Sequence, residues 1–326
     1  MNGQSMNGTA TVDDIYSCYR LLLGREPDAQ GLAAFERLLR ERTMSARELA
    51  SCFLRSEEFA RSNDVEPVEV PIGDYVIHIR PNDDAIGRTV LLTRQWEPNV
   101  SAAVHERLRQ GQSFLDVGAN IGYFSALAAS IVGPSGKVFA VEPLDRNLQL
   151  VYATIDRNGF SNVDVHPFAA SDRSELVVID TGDTSSNAQI VHDRVRSRSS
   201  TRVQTRRIDD MIGRAVVDMI KFDVEGHELK AWRGAERVLE RNRPVVLSEF
   251  HPQCLRQNTG IDPLEYASVL FDYGAVTVLH FDGRRSKCPD SEQLMRSWAE
   301  EDASLRTNGA AHLDVLVEPL TRIGVR

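Results

Sequence analysis

The stretch FLDVGANIGYF, residues 114–124, decides the reading of this chain. Its first half is a short apolar strand ending at Asp116. Small residues then make a tight turn, and a helix opens near Gly122. In an open α/β sheet such a turn lies at the carboxyl end of a strand, where ligands bind. Gly118 is expected to let a ligand approach the main chain, and Gly122 to let the helix pack close. A dinucleotide site would need G-x-G-x-x-G, with the pyrophosphate seated on the helix N-terminus. Here the order is D-x-G-A-N-x-G, and a carboxylate two places before the first glycine repels a pyrophosphate.

Such a turn suits a cationic ligand, and S-adenosylmethionine carries both an ammonium and a sulfonium group. Working outward, KVFAVEP (137–143) is the next strand, and Glu142 at its end is placed to accept from both ribose hydroxyls. VDVHPFAAS (163–171), VDMIKFDVE (217–225) and PVVLSEFH (244–251) continue the strand–helix alternation. AVTVLHF (275–281) and HLDVLVE (312–318) suggest a terminal antiparallel pair. Repeated β-α-β units imply an α/β fold, a mostly parallel seven-stranded sheet with helices on both faces.

The N-terminal part has a different period. Val12, Ile15, Tyr16, Tyr19, Leu22 and Leu23 fall at helical spacing, Thr11 with Asp14 resembles a helix start, and Gly24 and Pro27 stop the helix. A second helix carries Leu32, Phe35, Leu38 and Leu39. Ser45 with Glu48 makes a capping box for a third. Arg25, Glu26 and Asp28 read as a salt-bridged turn. The expected division is a polar tail at 1–10, a helical module at 11–62, a linker at 63–73 and an α/β domain at 74–326.

Bulk properties exclude several classes. The formal net charge of -9 argues against gripping a nucleic-acid backbone. The Arg- and Ser-rich stretch 194–207 has no interleaved aromatics and reads as a solvated loop or hairpin. Cys18, Cys52, Cys254 and Cys288 are scattered, without zinc spacing, and are expected as reduced thiols in the cytoplasm. No secretory signal and no integral membrane segment is expected.

The motifs FLDVGANIGYFS, VFAVEP, AASD (169–172), IKFDVEGHE (220–228) and LSEFHP (247–252), in that order, resemble the FkbM-type methyltransferases, a class I, Rossmann-like group. That resemblance implies methyl transfer from S-adenosylmethionine, usually to an oxygen of a sugar or other polyhydroxylated metabolite. LLLGREPDAQGLAAF and ELASCFLRSEEF resemble a small bacterial helical domain of unknown function found attached to glycan-related proteins, a possible docking point for a protein partner.

By position, Asp116, Gly118, Ala119, Asn120 and Gly122 are expected to hold the methionine end of the cofactor, and Glu142 with Pro143 the ribose. Ala170 and Asp172 are expected near the adenine. The hallmark K-x-D-x-E-G of the resemblance makes Lys221, Asp223 and Glu225 the catalytic candidates. O-methylation needs a base for the hydroxyl, and His251 or Asp223 is placed for it. His227 ranks lower, Glu97 is a further candidate for touching cofactor or acceptor, and no metal is predicted. The competing readings are a nicotinamide-dependent oxidoreductase, disfavoured by the first turn, and a non-catalytic module in a glycan-assembly complex.

Overall fold

The computed structural model describes residues 9–23, 25–54, 56, 66–83, 85–180, 189–191 and 200–320. Expectations for residues 1–8, Gly24, 63–65 and 194–199 lie outside the described residues.

Two compact units divide between Glu66 and Pro67. The first holds three helices, Val12–Leu22, Ala29–Glu41 and Ala46–Leu54. Thr11 and Asp14 form a reciprocal capping box, and Ser45 and Glu48 form another. Tyr19, Phe35 and Phe53 make its aromatic centre, with Phe35 and Phe53 stacked at 4.2 Å. The Arg25–Asp28 pair at 3.2 Å and the Arg20–Glu26 pair at 2.7 Å close the turn.

The second unit begins with a hairpin, β1 (Val68–Ile72) and β2 (Tyr75–Ile79). The expected linker at 63–73 therefore includes a strand. Pro71 lies in it because β1 pairs on one side only, with β2, where a missing N–H is tolerated.

The main strands follow: β3 (Ser113–Val117), β4 (Lys137–Val141) and β5 (Val163–His166). Next come β6 (Ala169–Ala170), β7 (Leu176–Asp180), β8 (Gln189–Val191) and β9 (Ser200–Arg206). The chain then forms β10 (Met219–Phe222), β11 (Val245–Phe250), β12 (Gly274–Leu279), β13 (Arg285–Cys288) and β14 (Leu313–Pro319). The large sheet runs β13-β12-β14-β11-β10-β3-β4-β5. From β11 to β5 every pairing is parallel, whereas β14 is antiparallel to both β11 and β12.

Two corrections to the expected fold follow. The sheet has eight strands, because β13 adds to its edge as the polar return of a hairpin from β12. The third core strand, expected to run unbroken over 163–171, stops at His166. Pro167 has no N–H to continue the ladder, and Ala169–Ala170 pairs instead with β9 in a separate sheet ordered β6-β9-β7-β8.

Alternation along the buried strands splits the core in two. Leu115, Val117, Ile220 and Phe222 face one apolar cluster with Trp232, Tyr266 and Tyr273. Phe114, Val138, Met219 and Leu247 face the other, with the helix Tyr123–Val132 and the hairpin residues Val70 and Ile77. Asp116 and Lys221, neighbours in the parallel register, thus end up side by side at the carboxyl edge.

Candidate functional site

A cavity of about 340 Å³ runs across the carboxyl ends of β4, β3, β10 and β11. Three strand spacings set its span at about 14 Å. At the β4 end it is lined by Asn120, Glu142, Leu144, Phe168 and Ala170. Toward β10 and β11 it is lined by Glu97, Lys221, Asp223, Glu225, Glu249, His251 and His312.

The turn after β3 is built by sterics. Gly118 has φ +88°, and a Cβ there would lie 1.8 Å from the carbonyl oxygen of Asp223. Glycine is needed because the turns after β3 and β10 touch; the close approach is protein to protein. Gly122, at φ +84°, starts the helix Tyr123–Val132, and a Cβ there would lie 3.1 Å from Val151. Among the non-glycine residues described with positive φ, Glu97, Asn120 and Glu225 all line the cavity. Such backbone strain persists where the surroundings hold it, commonly at functional sites.

Glu142 ties two strand ends together. Its Oε2 accepts from Asn120 N–H at 2.9 Å, and its Oε1 accepts from Leu144 N–H at 2.9 Å and Asn147 Nδ2 at 3.2 Å. Burial raises its pKa to about 7, against those hydrogen bonds. Behind the turn, Asp116 accepts from Ser125 Oγ at 2.6 Å through Oδ2, while Oδ1 has no partner among the described residues. Burial pushes this carboxyl up to about 6, although Lys221 pulls the other way.

Lys221 Nζ lies 2.5 Å from Asp223 Oδ2, 3.9 Å from Glu97 Oε2 and 4.6 Å from the Phe124 ring centre. Burial works against its ammonium, but Asp223, Glu97 and Asp116 outweigh it and hold its pKa above the ordinary lysine value. The carboxylates outnumber it. Burial, with Asp314, Asp223 and Asp116 adding to it, pushes Glu97 up to about 8 despite Lys221. Burial, then Asp223 and Glu228, pushes Glu225 up to about 9. Glu249 is driven well above the carboxylate range by burial and by Asp223 and Glu225.

The turn after β10 is fixed from beneath. Glu228 Oε1 accepts from Val224 and Gly226 N–H, both at 3.0 Å. Asn258 Nδ2 donates to Glu225 C=O at 2.7 Å from a π-helical segment, Leu255–Thr259. Such segments recur at functional sites.

Of the residues expected to hold cofactor, Gly118, Ala119, Asn120, Glu142, Pro143 and Ala170 line the cavity; Asp116, Gly122 and Asp172 do not. Asp172 instead accepts from Ser171 Oγ at 3.2 Å. All four catalytic candidates, Lys221, Asp223, Glu225 and His251, line it, as do Glu97 and His227. His227 Nε2 is 3.1 Å from Ser171 Oγ. Trp96, Phe168 and His312 also line it, and sequence reasoning did not single them out. They are lone aromatic or imidazole residues, whose role depends on what folds against them. Among the described residues no group of three or more metal-ligating side chains is arranged to hold a metal ion.

The residues suit S-adenosylmethionine. A cation in the cavity would offset carboxyl groups that outnumber Lys221, and Glu97 Oε2 and Glu249 Oε2, both on its lining residues, have no hydrogen-bond partner among the described residues. Glu142 keeps lone pairs for hydroxyl donors. The fold and this cavity match the plan of a class I, S-adenosylmethionine-dependent methyltransferase.

More specifically, residues 116–274 match the Methyltransferase FkbM domain. Residues 4–63 match DUF4214, a domain of unknown function. Two curated relatives are protein-L-isoaspartate O-methyltransferases. The one from Methanothrix thermoacetophila is 38% identical over 56 residues, 17% of this chain and 27% of that protein. The one from Ignicoccus hospitalis is 26% identical over 121 residues, 36% of this chain and 56% of that protein. The chain thus spans little more than half the length of these relatives at most. Among solved structures, the methyltransferase FkbM from Methylobacillus flagellatus has a TM-score of 0.39 and 20% identity, over 70% of this chain and 52% of that one. Among the described residues no helix is long and apolar enough to cross a membrane.

Proposed function

We propose that this chain transfers the methyl group of S-adenosylmethionine to a hydroxyl oxygen of a sugar or another polyhydroxylated acceptor. The cofactor supplies an electrophilic methyl on a positively charged sulfur. Glu142 and Asn120 would take its ribose side, and the turn after β3 its cationic end.

One observation carries the choice of acceptor. Among the described residues the wall formed by Glu97, Asp223, Glu225 and Glu249 faces a single ammonium, Lys221. An anionic group entering there is repelled and must give up its hydration. This disfavours an isoaspartyl carboxylate, the group named for the curated relatives, and equally a nucleic-acid phosphate. A neutral, hydroxyl-rich acceptor instead donates hydrogen bonds to carboxylates whose lone pairs are free. The likeness of the N-terminal module to domains of glycan-related proteins supports the same direction. On this reading the protein acts in glycan or secondary-metabolite biosynthesis, in the cytoplasm.

The test is methyl transfer from labelled S-adenosylmethionine to three sets of acceptors: methyl glycosides and neutral oligosaccharides, an isoaspartyl peptide, and RNA. Label in the glycoside or oligosaccharide fraction is expected. Label in the peptide or the RNA alone would overturn the acceptor assignment while leaving methyl transfer intact.

A further inference from the structure

The sequence points to His251 as a base for the acceptor hydroxyl. The local geometry redirects that role. His251 caps the short helix Pro252–Cys254, and its Nδ1 accepts from Cys254 N–H at 3.4 Å. A neutral imidazole that accepts at Nδ1 carries its proton on Nε2. Burial, and the neighbouring His312, press its pKa down to about 4, so the ring stays neutral. What it offers the cavity is an N–H donor.

His312 has the opposite arrangement. Its Nδ1 lies 3.5 Å from Glu249 Oε1, and the ring lines the same cavity. An accepting carboxyl oxygen at Nδ1 draws the proton there and leaves the Nε2 lone pair available. The Glu249 side chain is nine-tenths buried, and its Oε2 has no hydrogen-bond partner among the described residues.

The position of His312 is fixed by residues that bear no motif. It immediately precedes β14, whose Leu313 pairs with Phe250 of β11, so His312 emerges beside His251 with ring centres 6.3 Å apart. The preceding loop is pinned by Asp302, whose carboxylate accepts from Thr307 Oγ1 and from Gly309 and Ala311 N–H. Trp298 Nε1 donates to Ala311 C=O at 2.7 Å. Phe281 meets the His312 ring edge-on at 5.0 Å. The groups that set its charge are Glu249 and His251 from β11 and its end, and Asp314 from β14.

We propose that His312 is the general base of methyl transfer, that Glu249 positions it by fixing its Nδ1–H tautomer, and that His251 is a hydrogen-bond donor to the acceptor. This rests on the methyl-transfer reading above. As the acceptor oxygen bonds to the methyl carbon, the carbon–sulfur bond breaks and its electron pair returns to sulfur. The hydroxyl proton passes to His312 Nε2, Glu249 Oε1 keeps accepting from Nδ1–H of the resulting imidazolium, and the proton leaves to solvent with the product. His312 lies outside the segment matched to the FkbM domain.

The test has a readout that needs neither cofactor nor acceptor. Nitrogen-15 NMR of histidine-labelled protein, assigned with His251→Gln and His312→Gln, reports both tautomers. Nδ1–H is expected for His312 and Nε2–H for His251. Glu249→Ala should release the His312 preference, and Glu249→Gln, whose amide oxygen still accepts, should keep it. An Nε2–H tautomer for His312 in the wild type overturns the proposal.

Turnover is then read with methyl glucoside, methyl mannoside and a neutral disaccharide as hydroxyl probes. His312→Gln should lower kcat about 10²- to 10⁴-fold while leaving S-adenosylhomocysteine affinity within about twofold, a margin well under the tenfold that 1.4 kcal/mol represents. The acid limb of wild-type kcat should match the His312 titration seen by NMR. Retention of kcat in His312→Gln would also overturn the proposal. Failure of the wild type to bind S-adenosylhomocysteine would instead sink the methyl-transfer reading, and the tautomer result would stand apart from it.

Discussion

At the residue scale the cavity and the turn beneath it are marked by carboxyl groups whose pKa values burial raises. Burial raises Glu142 and Glu228 to about 7, Glu97 to about 8 and Glu225 to about 9. A carboxyl whose folded pKa lies above its unfolded value binds extra protons in the folded state. Its contribution is fully present below the unfolded pKa and is lost as pH rises through the folded one. His251, lowered to about 4, acts oppositely, but only between about 4 and its ordinary value of 6.5. The clean window is therefore pH 6.5 to 9, set by these four carboxyls. Across it the ligand-free protein is expected to lose thermal stability, and S-adenosylhomocysteine binding to release protons. Thermal midpoints measured every half unit decide this; a midpoint that is flat or rises with pH contradicts it.

At the element scale the site depends on two turns meeting. The turn after β3 passes so close to the turn after β10 that Gly118 admits no side chain: the Asp223 carbonyl is 1.8 Å from where a Cβ would sit. Gly118→Ala combines a strained φ with a backbone clash, and should cost about 3 kcal/mol or more of stability. Denaturant unfolding of the full chain measures it, and a loss under about 1 kcal/mol would show that the turns part easily.

The same scale explains what was legible in the sequence. SFLDV was readable as β3 because it is a short apolar run, buried at every position and followed by small residues. Gly118 was readable as special, but its reason was not, since the residue it would strike is 105 positions away in sequence, at Asp223. β13, Arg-Ser-Lys-Cys, has no apolar run to announce a strand; only pairing with β12 makes it one. The helix Ser291–Leu305 did leave a signal, Asp290 capping Gln293 N–H at 2.7 Å. His312 left none, because its partner Glu249 reaches it only through the β11–β14 pairing.

At the scale of the whole molecule, the chain joins a small helical unit with an aromatic centre to an α/β unit that contains the complete cavity. The ordered motifs of the α/β unit were readable because each sits where a buried strand meets its turn. The other side of the cavity was less readable, because it draws on the lead-in residue Trp96 and on Ala310 and His312 before β14. The central claim is that this cavity binds the S-adenosyl group. Isothermal titration calorimetry with S-adenosylhomocysteine, on the wild type and on Glu142→Ala, tests it most directly. The account predicts micromolar binding, roughly -8 kcal/mol, weakened at least about tenfold in a variant that circular dichroism finds folded. No detectable binding by the folded wild type, or equal binding by the folded variant, would contradict it.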